Sequence, residues 1–422
     1  MCQEPGNKRG GRLLTSSLLF VAMGVGFLTG WFDVPVLNSI AGGTSDLFLR
    51  LLKLISLPII FLAVTSTITG MKDFHEMRKF GRKVFLYTLG TTLVAAALAL
   101  FLYITIDPAR SAMETALPDT PVNDAKPQKS YLSFLLNIIP SNIFQAFAEG
   151  NVMGIVFVAI LLSVAILFLP TDQKTFLNKL FSGLFAALIK ITGMIITLMP
   201  IAIWAFITLL VKDLQHNHEH ISRLILFLVC VVSANVLQGI IILPLLLKFK
   251  KLSPLKVFKG MARPLVVAFF TKSSNATLPV AIRSAEANLG ISSKVANFTL
   301  PLCSVINMNG CAAFILITVL FVSTINGMTF GALDFIGWIF LATFAAIGNA
   351  GVPMGCFFLT SAFLVGMDIP LYMMGLILPF YTIIDMIETT LNVWSDVCIT
   401  VVVDKDFAKA SVPLPEASKE VA

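Results

Sequence analysis

Apolar runs long enough to cross a membrane recur along this chain, and the loops between them carry its basic residues. The first runs from about Leu13 to Trp31, behind Lys8, Arg9 and Arg12. A second runs from about Phe48 to Met71 and a third from about Val84 to Ile106. A hydrocarbon core of about 30 Å is spanned by roughly 20 apolar helical residues, and within it each backbone N–H and C=O must be bonded inside the protein. The chain is therefore expected to be an all-α polytopic membrane protein. Composition agrees, since 57% of residues are hydrophobic and 13% charged, where a soluble domain has about 25% charged. The net charge of +7 at pH 7 would suggest nucleic acid in a soluble protein. Here the preference of Lys and Arg for cytoplasmic loops accounts for it, and no nucleic-acid partner is expected.

The same rule places the N-terminus, as a tail over 1–12, in the cytoplasm, together with the loop that holds Lys72, Arg78, Lys79, Arg82 and Lys83. No cleavable signal peptide is expected, because Arg12 leads directly into a span. The proline-rich stretch from Asp107 to Ser130 reads as an irregular extracytoplasmic loop. Apolar stretches at about Tyr131 to Leu169, Leu177 to Val211 and Ile221 to Leu247 complete six spans over 13–247, the first broken by Pro140 and Gly150. His216, His218 and His220 in QHNHEH make a metal site conceivable, but a short His-rich tract is a compositional hint. Cys230, Cys303, Cys311, Cys356 and Cys398 fall in apolar segments without a CxxC pair, and read as small buried hydrophobes.

Beyond the basic loop from Lys248 to Arg263, small polar residues interrupt the apolar segments. Leu265 to Phe270 leads into TKSSNATLP, and Asp334 to Ile347 leads into GNAGVP. An arm of roughly 13 residues rises only about 20 Å, so both read as re-entrant hairpins. Each is followed by a longer segment with a polar interruption, PLCSVINMNGC in the first case. Two copies of hairpin plus interrupted span, over 248–404, fit an inverted repeat, with 405–422 as a cytoplasmic tail. Ser273, Ser274, Asn275 and Thr277 at the first tip form a candidate binding loop; Lys272 either faces the cytoplasm or pairs with an internal acid. Gly348 to Pro353 allow close backbone approach at the second. At Asn307 and Asn309 the helix is expected to unwind, exposing carbonyls to a cation.

The second interrupted span holds YTIIDMIETTLNVWSD, Tyr381 to Asp396. Taking Asp385 as zero at about 100° per residue, Glu388 falls near −60°, Thr389 near +40°, Asn392 near −20° and Asp396 near +20°, one face of a helix. Each membrane-embedded ionisable group costs roughly 2.5 to 3.5 kcal/mol on insertion scales, so the stripe calls for water, cations or a substrate beside it.

SSxxTLP at Ser273 to Pro279, TLPxxxxINMxG at Thr299 to Gly310, GxAGVP at Gly348 to Pro353 and DMxxTxxNVxxD at Asp385 to Asp396 resemble the dicarboxylate/amino acid:cation symporter family, which includes glutamate transporters. LLKLISLPIIF at Leu51 to Phe61 is similar to that family's second helix. The resemblance implies eight transmembrane helices plus two re-entrant hairpins, and a homotrimer in the plasma membrane, or inner membrane in a bacterium, working by an elevator motion. It also implies that Asp385 binds a substrate ammonium with help from Asn392 and Thr389. Ser274 and the backbone near Val352 would hold the α-carboxylate. Asn307, Asn392, Asp396 and the Cys303 carbonyl would form one Na⁺ site, and Tyr87, Thr91 and Asn307 a second. Carbonyls near Val305, Ile347 and Asn349, with Met308, would form a third.

The chain departs from the family in four places. Glu388 stands where acidic-substrate members carry arginine. Two like charges about 4 Å apart cost on the order of 4 kcal/mol at an effective dielectric near 20, so a neutral or cationic amino acid fits better than an acidic one. Asn309 replaces an aspartate of a Na⁺ site, Cys311 replaces a threonine at the substrate position, and Tyr381 replaces an acid. Na⁺ is the favoured coupling ion and H⁺ the alternative, as in a proton-coupled dicarboxylate or acidic amino acid symporter. An intramembrane aspartyl protease is disfavoured, because Asp385 and Asp396 sit roughly 16 Å apart on one helix. An ion channel is distinguished by uptake that does not accumulate substrate.

Overall fold

The computed structural model describes residues 8–70, 74–109, 139–148, 152–216, 219–349 and 354–410. Most of the proline-rich loop, His218, and the 350–353 tip with Val352 lie outside the described residues. Every regular element among the described residues is helical. The first half comprises α1 (Lys8–Trp31), α2 (Pro35–Thr69), α3 (Phe74–Ile106), α4 (Ile143–Ala148), α5 (Val152–Leu167), α6 (Thr171–Thr197), α7 (Met199–His216), α8 (Glu219–Leu237) and, after a π-helical turn at Gln238–Ile242, α9 (Leu243–Phe249). The second comprises α10 (Pro254–Thr271), α11 (Ser274–Leu289), α12 (Ser293–Ile306), α13 (Asn309–Ile325), α14 (Ala332–Gly348), α15 (Gly355–Gly366) and α16 (Tyr372–Ala410).

Among the described residues, five stretches are long and apolar enough to cross a membrane: Gly81–Ile106, Thr171–Thr197, Ser222–Phe249, Ser293–Ile325 and Tyr372–Phe407. The expected single stretch from Leu177 to Val211 is instead divided into α6 and α7. Pro200, the second residue of α7, lacks the N–H that a continuing helix would need and is favoured in a first helical turn. The helical arms beside the first polar tip also exceed expectation. Helices α10 and α11 have 18 and 16 residues, rising about 27 and 24 Å. Arm length therefore does not separate them from spans. The two helices are divided at Lys272 and Ser273, with Lys272 in the left-handed region at φ 52°, and α10 packs along α11.

Small residues set the closest helix contacts. A Cβ on Gly26 would lie 2.8 Å from the Trp204 carbonyl, and one on Gly30 would lie 2.6 Å from that of Thr208. Glycine at both positions, one turn apart, lets α1 lie against α7, the arrangement that membrane helices use where apolar burial gives no net drive. The centre of the molecule is α13, buried at every residue from Asn309 to Ser323 and packed by α3, α8, α14, α15 and α16. By contrast Phe176, Met194 and Phe168 are exposed, as apolar side chains are when their solvent is lipid.

Candidate functional site

The polar stripe of α16 faces the break between α12 and α13. The helix ends at Ile306 because Asn307 (φ −102°, ψ 82°) and Met308 (φ −117°, ψ 62°) leave helical geometry before α13 resumes. Asn307 closes α12 by donating its N–H to the Cys303 carbonyl at 2.8 Å. Its side-chain Nδ2 donates to Asp396 Oδ1 at 2.8 Å, and its Oδ1 accepts from the Thr91 hydroxyl at 3.4 Å. Asn392 Oδ1 accepts the Gly310 N–H at 2.9 Å, while Nδ2 approaches Met308 Sδ at 3.5 Å. Six of the residues expected at ion sites, Thr91, Cys303, Asn307, Met308, Asn392 and Asp396, thus make contacts among α3, α16 and the α12–α13 break.

Gly310 makes that junction possible. A Cβ there would lie 2.8 Å from Asn235 Oδ1 and 2.9 Å from the Glu388 Cα. No side chain fits between α13, α8 and α16. Gly355 is constrained in the same way, since an added Cβ would collide with the Asn349 side-chain oxygen.

Asn309 has both ends of its amide bonded. Its Oδ1 accepts from the Thr92 hydroxyl at 2.8 Å and its Nδ2 donates to Ser395 Oγ at 2.9 Å. A buried amide with both ends bonded is stable without a cation. Sequence reasoning named neither Thr92 nor Ser395. Thr92 follows Thr91 directly, and Ser395 precedes Asp396, so adjacency was the available signal.

Glu388 and Asp385 differ in environment. Glu388 is 1% exposed, and neither carboxylate oxygen makes a hydrogen bond of good geometry, with the Tyr381 hydroxyl as the neighbouring donor. Asp385 is half-buried. Thr389 and the Lys272 ammonium both act on the Asp385 carboxyl, which places Lys272 within electrostatic reach of an internal acid. Ser274 is buried in the first turn of α11, where Ser273 caps the helix by accepting the Ala276 N–H at 3.2 Å. Val305 and Ile347 are half-buried, and the buried Asn349 keeps its Oδ1 without a partner.

The Tyr87 hydroxyl is committed elsewhere. It donates to Asp406 Oδ2 at 2.7 Å and accepts from Lys250 Nζ at 2.5 Å. Its bond to Lys250 pushes that lysine's pKa up.

One expectation is corrected. Cys311 and Cys356 are not isolated buried hydrophobes but are bonded to each other, joining α13 to α15 across 45 residues of sequence. The isolated reading holds for Cys230, Cys303 and Cys398, which are free and buried.

A helical membrane protein with a broken helix, an unsatisfied buried carboxylate and a polar network at the break has the anatomy of a secondary transporter. The sequence matches the sodium:dicarboxylate symporter family over residues 16–406. The chain belongs to that family, whose members are transporters and not enzymes. It is 27% identical to the neutral amino acid transporter B(0) of Oryctolagus cuniculus over 384 residues, covering 83% of this chain and 71% of that protein. It is 26% identical to the human neutral amino acid transporter A, covering 83% and 73%. It is also 26% identical to a putative sodium-dependent excitatory amino acid transporter, glt-6, of Caenorhabditis elegans, covering 83% and 71%.

Proposed function

We propose that this protein is a secondary active symporter that couples Na⁺ entry to uptake of a small neutral amino acid. The observation that carries the reading is Glu388, buried among α13 and α16 residues with no cation bonded to it. An anionic side chain of aspartate or glutamate would find another carboxyl there in place of a positive group. Asp385, with Thr389, binds the substrate ammonium, and Ser274 with the backbone of the 350–353 tip holds the carboxylate. The names of the two neutral amino acid transporters support the same substrate class.

Na⁺ binds at the break, held by Asn307, Asn392 and Asp396. Tyr87 enters a second site only through its main-chain carbonyl, since its hydroxyl is held by Asp406 and Lys250. The orphaned Oδ1 of Asn349 suits a third, with Met308 and the carbonyls near Val305 and Ile347. The fully bonded Asn309 leaves one carboxylate fewer for sodium than the family pattern, which favours a second reading in which a proton replaces one Na⁺. The protein works as a homotrimer with cytoplasmic termini, and each protomer has eight transmembrane helices and two re-entrant hairpins built as inverted repeats. Substrate moves with a mobile core against a fixed scaffold.

The test is competition of uptake in proteoliposomes under a Na⁺ gradient. Alanine, serine and similar neutral amino acids should compete, and aspartate and glutamate should not. Glu388→Arg should raise competition by the acidic pair at least tenfold, about 1.4 kcal/mol. Equal competition by acidic amino acids before and after the substitution would overturn the assignment.

A further inference from the structure

Beside the stripe, three elements bring two sulfurs and a carboxylate together. Cys311 stands in the first turn of α13, Cys356 in the first turn of α15 and Glu388 on α16, and one ligand atom from each lies within 4.8 Å of the other two. The three residues are 3%, 3% and 1% exposed. Neither Glu388 oxygen makes a hydrogen bond of good geometry, the Tyr381 hydroxyl being the neighbouring donor, and a buried carboxylate without a positive group beside it is costly. The acid within reach, Asp385, is of the same sign. Around the sulfurs, the donors are in place. Asn349 Nδ2 lies 3.1 Å from Cys311 Sγ and 3.6 Å from Cys356 Sγ, and Asn392 Nδ2 lies 3.7 Å from Cys311 Sγ. Amide N–H groups directed at sulfur favour thiolate and orient it as a ligand.

We propose that, once the Cys311–Cys356 pair is reduced, Cys311, Cys356 and Glu388 bind one thiophilic divalent cation of the zinc and cadmium class. Thiolate ligands select such metals over Na⁺, Mg²⁺ or Ca²⁺, so the site is separate in chemistry from the coupling-ion sites. In a tetrahedral site with metal–sulfur bonds near 2.3 Å, the sulfurs stand about 3.8 Å apart. Breaking the S–S bond releases them to that spacing, with the Cα atoms 5.3 Å apart. Reduction takes two electrons and two protons; a trialkylphosphine supplies the electrons and becomes the phosphine oxide, its oxygen coming from water. Each thiol then loses its proton as the cation binds, and Glu388 completes the third ligand position. The bound cation ties α15 to α13 and α16. Its effect on uptake, unlike its binding, rests on the proposed placement of substrate beside Asp385.

The experiment uses the purified full-length protein, reduced with a phosphine, freed of it by gel filtration, assayed for free thiols and titrated with CdCl₂. Thiolate-to-cadmium absorption in the ultraviolet should appear at one cation per chain. It should be absent before reduction, a control that requires no mutation. Cys311→Ser and Cys356→Ser should each abolish the absorption, Cys230→Ala should retain it, and Glu388→Gln should weaken binding at least tenfold. No absorption in reduced wild-type protein, or an unchanged titration in Cys356→Ser, would overturn the proposal. Uptake provides a separate arm, in which Cd²⁺ should block reduced wild type and spare Cys356→Ser. Binding with this variant pattern but without block would leave the metal site standing and remove the substrate from its side. Block without thiolate absorption would remove the metal site and leave the transport reading intact.

Discussion

At the residue scale, the carboxylates of one helix face differ in their surroundings. Asp385 is half-buried, Glu388 is sealed with the Tyr381 hydroxyl as its neighbouring donor, and Asp396 is bonded to Asn307. In the proposed reading, Asp385→Ala removes the charged acceptor for a substrate ammonium, a bond worth about 2 to 3 kcal/mol, so substrate affinity should fall on the order of 100-fold. Isothermal titration with the transported amino acid checks this, and unchanged affinity removes Asp385 from the site. Asn309 makes a complementary case. Thr92 and Ser395 satisfy its amide, whereas an aspartate there would present a charge that needs a cation. Asn309→Asp should lower the Na⁺ concentration for half-maximal uptake severalfold; an identical sodium titration in the variant would contradict it.

At the element scale, the break at Asn307 and Met308 works because α13 can press against α16 and α8. Gly310 is the contact point, with a hypothetical Cβ under 3 Å from Asn235 Oδ1 and from the Glu388 backbone. Gly310→Ala should cost about 1 to 3 kcal/mol through overpacking, seen as a lower thermal midpoint in detergent, and should impair uptake further by moving Glu388. A variant with wild-type stability and uptake would show that the junction is looser than drawn. The far end of α16 is fastened differently. Asp406 binds the Tyr87 hydroxyl and the Lys250 ammonium, and Lys405 Nζ donates to the Lys250 and Lys251 carbonyls at 2.6 and 2.9 Å. Tyr87→Phe should therefore lower the thermal midpoint while leaving the sodium titration unchanged; a shifted sodium titration would put the hydroxyl in the ion site.

For the whole molecule, the buried polar network sits at the core formed by α3, α8, α13 and α16, while α6 presents apolar side chains outward. Such a core can hold ions and substrate away from lipid, and accumulation follows if binding of the two is coupled. Uptake in proteoliposomes should exceed equilibration when Na⁺ is higher outside and stop at equilibration when the sodium gradient is collapsed. Accumulation that persists under an imposed proton gradient alone would select the proton-coupled reading.

Much of this was legible in the sequence. The bilayer demands long apolar segments with self-satisfied backbones, so hydropathy alone determined the helical membrane class. A run such as Asn307-Met308-Asn309-Gly310 inside an apolar stretch determined the break, because local composition decides whether a helix continues. The stripe from Asp385 to Asp396 followed from helical period. Other features depended on which helices meet. The Asn309 amide is satisfied by Thr92, 217 residues away, and by Ser395, 86 residues away. Cys311 finds Cys356 across 45 residues, and the close approach at Gly310 exists only because α8 and α16 converge on it. Periodicity and hydropathy are properties of neighbours in sequence, and carry no record of these long-range pairings. Only the packed tertiary structure decided that Thr92 and Ser395 meet the Asn309 amide and that two scattered cysteines lie beside Glu388.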